Sequence, residues 1–214
     1  MFNQKISALK SSAIHELLVV DQHIEAVDIL LAGLARPIEV VELETYLPPF
    51  EQIATILANR PDVKTLHILS HGTPGKLALA GQMVDAADLA QRPAALDSIK
   101  SSLGLSGKIA LWACSVAAGP VGEQFVDALS KATGATIFAA EGPVGAAAKG
   151  GTWDIGITSP FGKAAEDTYP YTLSTFDFTS GVGSISTGTI TQTISSVTTT
   201  VKAYSNRLLG ELKN

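Results

Sequence analysis

Among the 214 residues there are one cysteine and four histidines, and one pairing among them stands where a reactive centre would. His71 follows the apolar run Leu66-His67-Ile68-Leu69-Ser70 and precedes Gly72; Cys114 follows Ile109-Ala110-Leu111-Trp112-Ala113. Both runs read as buried strands, and open parallel sheets place their reactive groups just past the carboxyl ends of strands. Consecutive strands of a crossover unit are often neighbours, about 4.8 Å apart, so the two side chains can meet. A thiol is a weak nucleophile until it loses its proton, and an adjacent imidazole can take it. Gly72 lets the backbone turn away and offers its N–H to a developing oxyanion, with the Cys114 N–H as second donor.

Blander readings compete with this one. A lone cysteine at the end of a buried strand is more often a small apolar filler, and a histidine before glycine can simply cap a strand. The joint placement of the two favours chemistry. Asp21 and Glu141 follow the first and fifth strands at the same sheet edge and are candidates to line the site, although Asp21 reads equally well as a helix N-cap. His67 faces away from Ile68 and reads as structural; His15 and His23 read as surface residues. A single cysteine excludes an internal disulfide and a thiolate zinc cage, and no His pair has ligand spacing on one helix, so neither a metal nor another cofactor is expected.

The elements that must position the pair alternate. Strands are expected at 17–20, 38–43, 63–70, 108–113 and 135–140, with a final one at Trp153–Ile157. Helices are expected over 22–34, from Pro48-Pro49 to about Asn59, over 85–103 with a break near Pro93, and from Gly119-Pro120 to Gly134. A small hairpin fits Lys76–Val84 around Gly81-Gln82. Such alternation means parallel strands with helices on both faces. The stretch Asp177–Val201 is rich in Ser, Thr and Gly, and reads as a linker or as the β-rich start of another module, with a short amphipathic helix to follow around Tyr204–Leu212. The division is therefore an N-terminal extension (1–13), an α/β domain (14–157) and a Ser/Thr/Gly-rich extension (158–214).

A hydrophobic fraction of 46% against 16% charged residues indicates a packed core. The net charge of −5 without a basic block argues against nucleic-acid binding. No apolar run reaches a membrane-spanning length, and Met1–Ala13 lacks the apolar centre of a secretory signal.

Ser70-His71-Gly72 and Ala113-Cys114-Ser115, 43 residues apart (114 − 71), resemble the caspase-like cysteine peptidases, in which a separation of about 50 is known. The resemblance implies a caspase-like three-layer sandwich with a mostly parallel central sheet, His71 as base or proton donor and Cys114 as nucleophile. It carries over no specificity-pocket residue. Four ordered strings resemble the DUF4347 domain more closely: Glu16-Leu17-Leu18-Val19-Val20-Asp21, Ile68-Leu69-Ser70-His71-Gly72-Thr73-Pro74-Gly75, Cys114-Ser115-Val116-Ala117-Ala118-Gly119 and Gly150-Gly151-Thr152-Trp153-Asp154-Ile155. That domain typically sits near the N-terminus of very long bacterial adhesin-like proteins, which implies an extracellular or cell-surface setting. The expected substrate is a polypeptide or the protein's own chain, and the expected protein partner or second copy would bind through 158–214. A non-catalytic assembly, anchoring or partner-binding domain on the same scaffold is the alternative.

Overall fold

In the computed structural model of the chain, the described residues are 15–45 and 47–174, together with the backbone of 189–194 and 197–202. They fall into two compact units, Met1–Thr175 and Phe176–Asn214.

The first unit is mixed α/β. In chain order it comprises β1 (Glu16–Val20), α1 (Val27–Ala32), β2 (Glu39–Glu42), α2 (Pro49–Ala58), β3 (Thr65–Leu69), β4 (Gly72–Thr73), β5 (Lys76–Leu79), β6 (Gln82–Val84), α3 (Ala86–Ala90), α4 (Pro93–Leu103), β7 (Lys108–Trp112), α5 (Gly119–Thr133), β8 (Thr136–Ala139) and α6 (Lys163–Thr168). Five strands form one parallel sheet in the order β2-β1-β3-β7-β8. The near-continuous apolar runs of β1, β3 and β7 are what a sheet buried on both faces requires.

Strand alternation sorts these residues into two cores. Leu17, Val19, Leu66, Ile68, Ile109 and Leu111 pack against α2, α4 and α5, chiefly through Phe50, Ile53, Ile99 and Phe125. Leu18, Val20, Leu69, Ala110, Trp112 and Cys114 face the other way, onto Leu30 of α1 and onto Ile155, Phe161, Tyr169 and Leu173. Full burial of one such leucine contributes about 1.5–3 kcal/mol. The residues of 158–173, read from sequence as the start of an extension, thus include three that are buried in the second core: Phe161, Tyr169 and Leu173.

Start and stop signals explain most boundaries. Pro49, Pro93 and Pro120 open α2, α4 and α5, where a missing N–H costs nothing. Asp85 caps α3 through the N–H groups of Ala87 and Asp88, with Asp88 returning the bond, a capping box. The hairpin turns at Ala80-Gly81, both at positive φ.

Two expectations are corrected. The helix expected over 22–34 is only Val27–Ala32. Asp21 Oδ1 accepts the His23 N–H at 3.0 Å, Tyr169 Oη donates to the Glu25 carbonyl at 3.0 Å and Ala26 is left-handed at φ 48°, so 21–26 is held as a turn. No strand forms at Trp153–Ile157. Thr152 Oγ1 accepts the Asp154 N–H at 3.0 Å, Asp154 Oδ1 accepts the Gly156 N–H at 3.0 Å and Gly156 has φ 88°, which curls the segment. Trp153 instead packs edge-on to Phe161 and Tyr169.

In the second unit, β9 (Thr189–Ile194) and β10 (Val197–Lys202) pair antiparallel with Ile194 opposite Val197. Residues 1–13 and the helix expected around Tyr204–Leu212 lie outside the described residues.

Candidate functional site

The two candidate residues follow neighbouring strand ends at the same register step. Leu69 of β3 pairs with Trp112 of β7, so two residues further along each strand the chain reaches His71 and Cys114. The ladder persists one step beyond the strands, with the Ser70 N–H donating to the Trp112 carbonyl at 3.1 Å. After β3 the chain turns at Gly72, where a Cβ would stand 2.6 Å from Val116 Cγ2 and 2.8 Å from the Cys114 carbonyl oxygen; only glycine fits between the two strand ends. After β7 the chain turns at Ser115, a non-glycine at φ 58°. Left-handed backbone at a non-glycine residue costs of order 1–3 kcal/mol and recurs at functional sites. It is held here by the Ser115 N–H donating to the Gly142 carbonyl at 2.9 Å and the Ala118 N–H donating to the Ser115 carbonyl at 2.9 Å.

His71 is nearly enclosed, its side chain 11% exposed. Nε2 donates to the His23 carbonyl at 3.1 Å and lies 3.2 Å from Glu25 Oε2. Nδ1 is buried and has no partner among the described residues. Burial disfavours the imidazolium, but the close contact and charge of Glu25, the His23 carbonyl and the charge of Asp21 together outweigh it and hold the His71 pKa above the usual histidine value. Burial likewise opposes charge on Glu25, yet the His71 contact holds that carboxyl below its usual range. The pair therefore favours an ionised carboxylate with a charged or readily charged ring, and it leaves one ring nitrogen free to exchange a proton.

Glu25 is the neighbour of His71 that sequence reasoning missed. The role expected of Asp21 is divided. Asp21 adds charge near His71, but its oxygens are committed elsewhere: Oδ1 to the His23 N–H and to His23 Nδ1 at 2.8 Å, Oδ2 to the Ala80 N–H at 2.6 Å. It ties β1 to the hairpin turn. Glu141 is exposed, and none of the described side-chain hydrogen bonds or ion pairs involves it. His67 is structural: Trp112 Nε1 donates to its Nδ1 at 3.1 Å and its Nε2 meets Glu16 Oε2 at 2.9 Å.

Cys114 is 2% exposed. Its Sγ accepts the Val144 N–H at 3.1 Å and donates to the Val144 carbonyl at 3.4 Å. Burial pushes the thiol pKa up, only partly offset by the nearby backbone of Val144 and Leu173. Among the described residues no hydrogen bond joins Sγ to the His71 ring, so the sulfur rests as a neutral thiol held by Val144.

The two N–H groups expected to serve an oxyanion converge on one atom. Gly72 N–H and Cys114 N–H each donate to the Leu173 carbonyl oxygen at 3.1 Å. Leu173 belongs to a short extended segment docked on 144–146: its N–H donates to the Val144 carbonyl at 2.8 Å, and the Ala146 N–H donates to the Tyr171 carbonyl at 2.8 Å. Thr172 bridges Gly145 antiparallel and Ser174 bridges Gly72 in parallel. A cleft of about 820 Å³ opens beside this segment, between Ala146-Ala147 and Tyr169-Pro170; neither His71 nor Cys114 lines it.

Among the described residues no cluster of three or more His, Cys, Asp or Glu could hold a metal ion, and no helix is long and apolar enough to cross a membrane. No curated protein and no solved structure matches the chain. The family comparison does: residues 17–179, which contain both strand ends and the docked segment, match the domain of unknown function DUF4347, and the chain belongs to that family.

Proposed function

We propose that the domain is a caspase-like cysteine peptidase, self-processing, within a surface-associated or secreted bacterial protein. Cys114 is the nucleophile, His71 carries the proton through Nδ1, and the Gly72 and Cys114 N–H groups hold the oxyanion. One observation carries this reading: two backbone donors from the two strand ends meet on a single carbonyl oxygen, both at 3.1 Å. Paired donors around one carbonyl beside a thiol are the arrangement acyl transfer uses. The unpartnered Nδ1 of His71 supplies the proton acceptor that such chemistry needs. A substrate of this kind is a polypeptide, including the chain's own.

The test is selective labelling. A thiol-directed peptidyl electrophile should modify Cys114 in the folded protein, and His71→Ala should abolish the labelling while leaving the circular dichroism spectrum unchanged. Labelling that is equal in parent and His71→Ala, or that appears only on unfolding, overturns the reading.

A second reading has an observation in its favour. Cys114 is buried, protonated and hydrogen-bonded at both ends by Val144, as a structural thiol would be. On that reading the scaffold serves assembly, anchoring or partner binding, with a protein partner or a second copy engaged through 158–214.

A further inference from the structure

We propose that the peptide bond cut by this site is Leu173–Ser174 of the same chain, with the Leu173 side chain as the residue recognised on the acyl side. This rests on the peptidase reading above and adds to it a scissile bond and a specificity. A carbonyl that already accepts from both oxyanion donors is in the position a substrate carbonyl must take. The Cys114 N–H that binds it belongs to the residue whose side chain carries the sulfur, so Sγ and the Leu173 carbonyl carbon are separated by little more than the dimensions of one residue.

The rest of the segment is bound as a peptide substrate is bound. Tyr171, Thr172 and Leu173 lie extended against 144–146 through two backbone hydrogen bonds of 2.8 Å, a strand-addition mode in which the main chain supplies affinity and a side-chain pocket supplies choice. The Leu173 side chain is fully buried, in the apolar cluster that also holds Leu69, Cys114, Val144 and Tyr169. Gly145 is shaped to this strand: it sits at φ 124°, and a Cβ there would stand 2.3 Å from the Tyr171 carbonyl oxygen. On the far side of the bond, Ser174 is exposed. The cut falls just before the boundary between the two compact units at Thr175 and Phe176, so it separates them.

The step balances. The sulfur leaves Val144, and its proton passes to His71 Nδ1. The Sγ–C bond forms at Leu173, and the oxyanion stays on the Gly72 and Cys114 N–H groups. The C–N bond to Ser174 breaks, and the Ser174 nitrogen takes the proton from His71 and departs as an amine. Water then attacks the thioester, the C–S bond breaks, the thiol is restored and Leu173 becomes a carboxylic acid. The net reaction consumes one peptide bond and one water. The Cys114–Val144 contact is the resting position of the nucleophile.

The experiment follows the full chain by intact mass. Two fragments, 1–173 and 174–214, should accumulate, with masses that add up to the parent plus one water and a rate independent of protein concentration. Cys114→Ala should give none. Because Leu173→Asp places a charge in a buried site and can unfold the domain, the informative variant is Ser174→Pro. It removes an N–H that none of the described hydrogen bonds uses, at an exposed position, and makes the amine a poor leaving group in the bound geometry. It should slow the cut at least 100-fold with the melting temperature unchanged. A cut at any other bond, or no cut at all, overturns the proposal. In either case, continued His71-dependent labelling of Cys114 by the peptidyl electrophile leaves the peptidase reading standing, and loss of that labelling removes both.

Discussion

Cys114 and Val144 satisfy each other twice: the Val144 N–H donates to Sγ at 3.1 Å, and Sγ donates to the Val144 carbonyl at 3.4 Å. Cys114→Ala strands the Val144 N–H in a buried site, while the Val144 carbonyl keeps the Leu173 N–H, and should cost about 1–3 kcal/mol. Cys114→Ser keeps a donor and an acceptor and should cost less, about 1 kcal/mol. Urea unfolding of the two variants gives the order; serine more damaging than alanine would mean that the sulfur acts there by volume alone.

Removing Glu25 should release His71. In Glu25→Gln the burial that opposes the imidazolium remains, while the carboxylate that raises the His71 pKa is gone, so the ring should titrate lower than in the parent. The sign of the stability effect follows. His71 has a raised folded pKa, so its contribution is full below the unfolded value of 6.5 and is lost as pH rises through the folded value. Glu25 has a lowered folded pKa, so its contribution is full above the unfolded value of 4.5 and is lost as pH falls through its folded value. The parent's advantage over Glu25→Gln should peak between those limits. It should not exceed about 1 kcal/mol, because Glu25 is one-third exposed and solvent screens the pair. Imidazole nitrogen shifts followed by NMR report the His71 titration; an unchanged midpoint would show that the pair does not set it.

His67 should act as an acid-side weak point. Burial outweighs the pull of Glu16 and holds its pKa below 6.5, and protonation would set Nδ1–H against the Trp112 N–H that it now accepts. An unfolded chain therefore binds this proton more readily than the folded one, and stability should fall as pH drops below 6.5 toward the lowered folded value. In His67→Gln that segment of the stability curve should flatten. A curve parallel to the parent's through the same range would assign the acid loss to other groups.

Gly145→Ala should undock 171–173 without dissolving the sheet. A Cβ at 2.3 Å from the Tyr171 oxygen, added to a φ of 124°, forces either strand to move, at about 1–3 kcal/mol. Hydrogen exchange at the Leu173 and Ala146 amides should accelerate far more than at Leu69 or Leu111. Uniform acceleration across all four would point to global destabilisation instead.

The parallel adjacency of the strands that lead to His71 and Cys114 was legible in the sequence because both are short apolar runs of the same phase. The contact with Glu25 was not. Ile24, Val27, Leu30, Leu31 and Leu34 have helical spacing, and that periodicity hid the turn at 21–26, which depends on long-range bonds from Tyr169 and Asp21. The docked segment was hidden for a different reason. Tyr169, Tyr171 and Leu173 alternate as a strand should, but the run is only a few residues long, and its partners, Gly72, Cys114 and Val144, are distant in sequence. Short strands paired across long loops leave almost no local trace.

The Leu173 carbonyl also fixes when the domain becomes whole. Gly72 and Cys114 emerge from the ribosome well before Leu173, so during synthesis the sheet can form while both N–H groups still await their acceptor. The last of these pieces to arrive is the strand that closes the corner between β3 and β7, and ribosome-bound chains that stop short of it will carry that corner open.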